Sequence, residues 1–219
     1  MKETACIVTG GKVSSVQLMS RICNRQDVLL IVVDGALELT DALGLQPDFI
    51  VGDFDTVSHE ILEKYPQEII LRHPPEKDQT DTELAVDTAM EAGCRKIEMF
   101  GATGSRLDHS LANIFLLQSL LTKEIPVVLY DENNKLYLME HDFEIKKQEQ
   151  FGTFVSLLPL TDCVENVTLS GFKYSLEHRT FFREKTLGVS NEITEDTARV
   201  SFSKGIFLVI ESKDKETLR

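Results

Sequence analysis

Apolar residues run through the first half of the chain in short blocks, broken at intervals by glycine and polar residues. Cys6-Ile7-Val8-Thr9 reads as a strand ending at Gly10-Gly11, and Val28 to Val33 is continuously apolar, as a strand covered on both faces would be. Phe49-Ile50-Val51, Lys96 to Phe100 and Val127 to Tyr130 read as further strands, with a weaker one at Glu68 to Leu71. Helical periods lie between them. Leu37 to Leu43 is closed by Gly44; Leu84, Ala85, Thr88, Ala89 and Ala92 are stopped by Gly93; Leu107, Leu111, Ile114, Phe115 and Leu121 form a third. Strands alternating with helices predict an α/β domain built on a three-layer, mainly parallel sheet.

The pattern then changes. After the turn signal Asp131-Glu132-Asn133-Asn134, short alternating runs follow at Lys135 to Glu140, Asp142 to Lys147, Phe154 to Leu158, Val164 to Leu169, Thr186 to Val189, Ala198 to Phe202 and Ile206 to Ile210. They are rich in β-branched and aromatic residues, which predicts an antiparallel β-sandwich or barrel. The boundary is placed near residue 140, giving domains 1–140 and 141–219. Residues 213–219 are polar and expected to fray.

Charge narrows the partners. The 219 residues carry 23 Lys plus Arg against 36 Asp plus Glu, a formal net charge of -13. Such a surface repels a polyanion, so no nucleic-acid partner is expected. The four cysteines are scattered without zinc-like spacing; two lie in apolar surroundings and read as small buried thiols, and the lack of a dense disulfide pattern fits a reducing compartment. Neither a cleavable leader nor a run of about 20 apolar residues is visible, which predicts a cytoplasmic protein with no membrane partner.

Acidic clusters fall where these strands end. Asp53 and Asp55 stand two apart after a strand, so both carboxylates can address one ion. In open α/β sheets, ligands bind at that edge. Thr80-Asp81-Thr82-Glu83 fits a capping box, and Lys77 and Asp78 precede it; a helix N-terminus also suits an anion, so capping and binding both stand. Gly101, Gly104 and Arg106 lie between a strand and a helix, where glycines admit phosphate and a guanidinium grips it, with Asp108 and His109 beside them. It is neither a Walker A loop nor a Rossmann fingerprint. Asp34-Gly35 and Gly10-Gly11 end strands in the same way. If these carboxylates converge, they call for a divalent cation, and hard oxygen ligands point to Mg²⁺ with a phosphate-bearing substrate.

These motifs, in this order, resemble the thiamine pyrophosphokinase family. The match is carried by Asp34-Gly35-Ala36, Pro47 through Thr56, Lys77-Asp78-Gln79-Thr80-Asp81, and Gly101 through His109 with Asn113. In the second half it rests on Ser156 through Leu160, Gly171-Phe172-Lys173-Tyr174 and Gly188-Val189-Ser190-Asn191-Glu192. The first motif departs from the family's usual Asp-Gly-Gly at Ala36. The resemblance implies transfer of a pyrophosphoryl group from ATP to the hydroxyl of thiamine, releasing AMP. It implies that Asp53, Asp55 and Asp81 hold Mg²⁺, with Asp34, Lys77, Asp78, Arg106 and Asp108 around the triphosphate. It further implies that Ser190 and Asn191 contact thiamine at the interface of a homodimer. Which of Asp78, Asp81 and Asp108 accepts the proton stays open. The rivals are another Mg²⁺-dependent transferase with a different acceptor, and a catalytically silent sensing module.

Overall fold

In the computed structural model, which describes residues 2–13, 15–55, 57–73 and 78–214, the chain divides into two compact units, Met1–Glu132 and Asn133–Arg219. The first unit runs β1 (Thr4–Val8), α1 (Val16–Cys23), β2 (Val28–Val33), α2 (Ala36–Ala42), β3 (Phe49–Gly52), α3 (His59–Leu62), β4 (Ile70–Arg72), α4 (Asp81–Glu91), β5 (Lys96–Phe100), α5 (Leu107–Leu121) and β6 (Val127–Tyr130). Its strands are parallel, in the order β6-β5-β1-β2-β3-β4. The chain builds outwards from β1 to β4, then returns to the other side of β1 for β5 and β6. The loops that follow β1 and β5 stand at this reversal, the usual place for a ligand in this architecture.

Alternation along the strands makes the three layers. Cys6 and Val8 of β1 and Leu30 and Val32 of β2 share a core with Met19 and Ile22 of α1 and Ala36 and Leu37 of α2. Ala5, Ile7, Leu29 and Ile31 are buried on the opposite face. There α4 lies along β1, β2 and β3, with Ala85, Val86 and Ala89 buried. Helix α1 has no counterpart in the sequence reading. It is eight residues long with three buried positions, Met19, Ile22 and Cys23. On α5, Leu107, Leu111 and Phe115 stand one turn apart and remain 73%, 49% and 59% exposed.

The second unit contains β7 (Asn134–Met139), β8 (Phe143–Lys146), β9 (Phe154–Pro159), β10 (Cys163–Ser170), β11 (Leu176–Phe182), β12 (Asn191–Glu192), β13 (Thr197–Ser201) and β14 (Phe207–Ser212). Antiparallel pairing gives two sheets, β12-β9-β14-β7 and β11-β10-β13-β8. Inward residues from both, among them Val155, Leu157, Phe207 and Val209 from one and Val164, Phe181, Ala198 and Val200 from the other, form one core. This is the sandwich form of the expected architecture.

One expected strand is absent. Residues 186–189 form part of a turn, with Gly188 at φ 96° and Leu187 and Val189 exposed. The strand in this stretch is β11 instead, whose outward Glu177, His178 and Arg179 hid its apolar half.

Glu211 of β14 is fully buried, and each of its oxygens is satisfied. Oε1 accepts from Lys135 Nζ at 2.7 Å and Tyr137 Oη at 3.1 Å, while Oε2 accepts from the Phe151 N–H at 2.6 Å. Removing the ammonium would strand a buried carboxylate, which costs several kcal/mol. Lys135→Ala should therefore lower the stability of the second unit by about 3 kcal/mol in urea titrations. Pairing Lys135→Ala with Glu211→Gln should recover part of that loss.

Candidate active site

The acidic residues are organised around Asp34. It follows β2 at φ 45°, a left-handed conformation that aspartate tolerates better than most side chains. Its N–H donates to Val51 O at 3.0 Å, and its Oδ1 accepts from the Phe54 N–H at 3.2 Å. The carboxyl lies directly over Gly52, where a β-carbon would come within 1.8 Å of Oδ1. Phe54 is itself at φ 65° although bulky and buried, and the Arg72 guanidinium sits 5.0 Å from its ring centre. Asp53 Oδ1 accepts from the Asp55 N–H at 3.1 Å. Burial pushes the Asp34 carboxyl up to about 6, the Phe54 N–H opposes this, and Asp81 and Asp53 add to the rise. Asp34, Asp53 and Asp81 are thus brought together, with Asp55 exposed beside them.

Asp81 owes its place to a helix cap. Thr80 Oγ1 accepts from the Glu83 N–H at 3.2 Å, and Glu83 Oε2 accepts from the Thr80 N–H at 3.0 Å, the reciprocal pair of a capping box. Asp81 is therefore the first helical residue of α4. Asp78 is exposed just before the cap. Lys77 and Thr56 lie outside the described residues.

The glycine loops meet at the switch point. Thr9 N donates to Phe100 O at 2.8 Å, and β-carbons on Gly11 or Gly101 would come within 2.0 Å of Gly101 O and 2.4 Å of Thr9 O respectively. Gly104 lies near the Gly11 backbone, whereas Gly10 is exposed and Gly35 leads into α2. Asn113 Nδ2 donates to Ala102 O at 2.7 Å, and Ser110 Oγ joins Gly104 N to Arg106 O at 3.1 and 3.0 Å. Asn113 therefore shapes the loop from within α5. Arg106 grips Asp108 through Nε at 3.2 Å and Nη2 at 2.5 Å, and the guanidinium holds that carboxyl down at about 2. Both side chains are about two-thirds exposed, and His109 is exposed next to them. Asp131 escaped the sequence reading except as part of a turn. Its Oδ2 accepts from Thr103 Oγ1 and its carbonyl from Ser15 Oγ, both at 3.2 Å, tying the two glycine loops to one residue.

In the second unit, Ser190 sits at φ 56° and donates its N–H to Ser156 Oγ at 3.0 Å. Asn191 is buried and its amide is turned inward. Nδ2 donates to Tyr174 O at 2.9 Å, and Oδ1 accepts from the N–H groups of Tyr174 and Glu192, both at 3.0 Å. Tyr174 is 62% exposed, with Lys173 Nζ 5.7 Å from its ring centre and paired to Glu192 at 2.6 Å. Nothing local in the sequence announced that the Asn191 amide would fasten a second loop.

Among the described residues, no three His, Cys, Asp or Glu side chains form a ready-made metal site. The donor chemistry nonetheless fits a hard divalent cation. The donors are all carboxylate oxygen, and although burial is the main cause of Asp34's raised protonation, the neighbouring Asp81 and Asp53 add a repulsion that a cation would relieve.

The family model described as thiamin pyrophosphokinase, catalytic domain, matches residues 20–129, and that described as thiamin pyrophosphokinase, vitamin B1 binding domain, matches residues 140–207. The thiamine pyrophosphokinase of Bacillus subtilis is 33% identical over 215 residues, covering 97% of this chain and all of that protein. The chain belongs to the thiamine pyrophosphokinase family. It is accordingly an enzyme, a transferase of the kinase type. The crystal structure of the Geobacillus thermodenitrificans thiamin pyrophosphokinase is also similar, with a TM-score of 0.84 at 32% identity over 98% of this chain and 100% of that one. The yeast enzyme, at 17% identity, shares the fold with a TM-score of 0.79 over 96% of this chain and 86% of its own. Among the described residues no helix is long and apolar enough to cross a membrane.

The elevated Asp34 carboxyl gives a pH signature. A carboxyl whose folded value, about 6, exceeds its unfolded 3.8 takes up a proton on folding. Its contribution therefore favours the folded state in acid and is lost as pH rises from about 4 through 6. Asn keeps the acceptor for Phe54 N–H and tolerates φ 45°. Without divalent cation, Asp34→Asn should stabilise the protein at pH 7 by on the order of 1–2 kcal/mol, after discounting for partial hydration. The gain should vanish below about pH 4 in urea titrations across pH.

Proposed function

We propose that the chain transfers the pyrophosphoryl group of ATP to the hydroxyl of thiamine, yielding thiamine diphosphate and AMP by in-line displacement at the β-phosphorus. The observation that carries this reading is the gathering of Asp34, Asp53 and Asp81 at the carboxyl edge of a parallel sheet. It occurs in a chain that matches both the catalytic and the vitamin B1-binding family models. Residues 1–140 take ATP and metal in this reading, and residues 141–219 take thiamine.

Asp53, Asp55 and Asp81 would hold Mg²⁺, which when bound offsets the negative charge of the triphosphate. The chain's own groups do the rest. Gly10, Gly11, Gly35, Gly101 and Gly104 let backbone amides approach phosphate, and Arg106 and Lys77 supply positive charge where it develops on the transferring group. Thr80 and Asn113 fix the loops on which these groups stand, and His109 borders the same loop. Asp34 crowds the metal carboxylates and so raises their demand for a cation.

A carboxylate at the thiamine hydroxyl accepts its proton. Asp108, held near 2 and gripped by Arg106, is a poor base, which leaves Asp78 and Asp81 for that role. Ser190, exposed at its turn, meets thiamine directly, while Asn191 serves by fixing the adjacent backbone. The protein acts as a homodimer with thiamine held at the subunit interface, a reading supported by the exposed row Leu107, Leu111 and Phe115. The free thiols support a cytoplasmic setting.

Two measurements test this reading. Incubated with Mg-ATP and thiamine, the protein should release AMP and thiamine diphosphate in equal amounts by mass spectrometry. ADP with thiamine monophosphate would rule out pyrophosphoryl transfer. Asp55→Asn should lower kcat at least about 100-fold with an unchanged melting midpoint. Full activity of that variant at low Mg²⁺ would remove Asp55 from the metal site.

A further inference from the structure

Two thiols that the proposed reaction does not use lie almost in bonding contact. Cys6 Sγ and Cys23 Sγ are 2.9 Å apart, and both residues are buried. A disulfide needs about 2.05 Å, so closing the bond requires a movement of roughly 0.9 Å. Cys6 belongs to β1 and Cys23 to the last turn of α1, 17 residues later. The other two cysteines have different neighbours: Cys94 Sγ donates to Lys2 O at 3.4 Å, and Cys163 Sγ lies 3.9 Å from Glu165 Oε1.

The surroundings decide how such a pair would react. Glu98 stands in register with Cys6 on β5 and is buried, with Oε1 held by Lys96 Nζ at 2.7 Å. Its Oε2 has no hydrogen-bond partner among the described residues. The bond to Cys23, burial, and the charges of Cys23 and Glu98 lift the Cys6 thiol well above its ordinary range. Cys6 is therefore a reluctant first nucleophile. Cys23, 9% exposed where α1 gives way to exposed Asn24, is the end that an oxidant meets first.

We infer that Cys6 and Cys23 form a reversible disulfide that ties β1 to the end of α1 when the protein meets a low-molecular-weight disulfide. Cys23 thiolate attacks one sulfur of the oxidant, breaking its S–S bond and releasing one thiol. Cys6 thiolate then attacks the Cys23 sulfur, forming the protein S–S bond and releasing the second thiol. Two protein thiols are oxidised, one small disulfide is reduced, and the two protein hydrogens end on the two released thiols. The linked stretch contains Gly10-Gly11, so the bond closes the loop that packs on Gly101. It also restricts the unfolded chain, which raises the melting midpoint by on the order of 5 °C.

The test uses the full chain and oxidised glutathione, followed by alkylation, tryptic digestion without reduction, and mass spectrometry. Lys12 and Arg21 lie between the two cysteines, so cleavage leaves them on separate peptides unless they are joined. A Cys6–Cys23 linked pair that dithiothreitol releases, with Cys94 and Cys163 alkylated, is the expected result. It should come with the higher melting midpoint, and Cys23→Ala should lose both the link and the response. Recovery of Cys6 and Cys23 as free thiols or as glutathione adducts would overturn the inference. So would pairing with Cys94 or Cys163, or a link that lowers the midpoint.

Discussion

The carboxyl of Asp34 occupies the space in which residue 52 would carry a β-carbon, and the acidic edge of the first unit depends on that approach. Any larger residue at 52 would push Asp34 away from the Phe54 N–H and out of reach of Asp81. The arrangement gathers like charges, which is unfavourable in itself. It is held from below by buried Val33 and Val51 and from the side by one backbone N–H. Strain is concentrated there too, since Asp34 and Phe54 are both non-glycine residues at positive φ. A protein selected for stability alone would keep neither the crowding nor the strain, and their coincidence at the carboxyl edge of a parallel sheet is a mark of function.

The second unit solves a different problem with buried polar groups. Asn191 and Glu211 are both enclosed, and each has its oxygen atoms hydrogen-bonded. Neither carries the core, which is apolar; each pins a loop that the sheets alone would leave free. Asn191 closes the Tyr174 loop against β12, and Glu211 holds Phe151 ahead of β9. Local order at the ends of the sandwich comes from these side chains.

The parts of this architecture that were legible in the sequence are those with local causes. The unbroken apolar run of β2 announced a strand covered on both faces, and Thr80 and Glu83 announced their reciprocal cap three residues apart. Where the cause is distant, the sequence is mute. Asp131 bonds to residues 28 and 116 positions away, so nothing near it distinguishes it from an ordinary turn. The inward aim of the Asn191 amide depends on a backbone 17 residues upstream. Residues 186–189 misled because Leu187 and Val189 are apolar yet exposed, while polar Glu177, His178 and Arg179 sit on a true strand. The motif order singled out particular carboxylates. Their crowding around Asp34 is a property of the fold.

The cap on α4 has a consequence for recognition. Because Thr80 and Glu83 lock one another without any ligand, the backbone of Asp81 surrenders its conformational freedom during folding. An incoming ligand therefore meets a carboxylate already fixed at its root, and the entropy of ordering that segment is not charged against affinity. Binding at this edge can be fast and still selective, since the backbone beneath Asp81 needs no reordering.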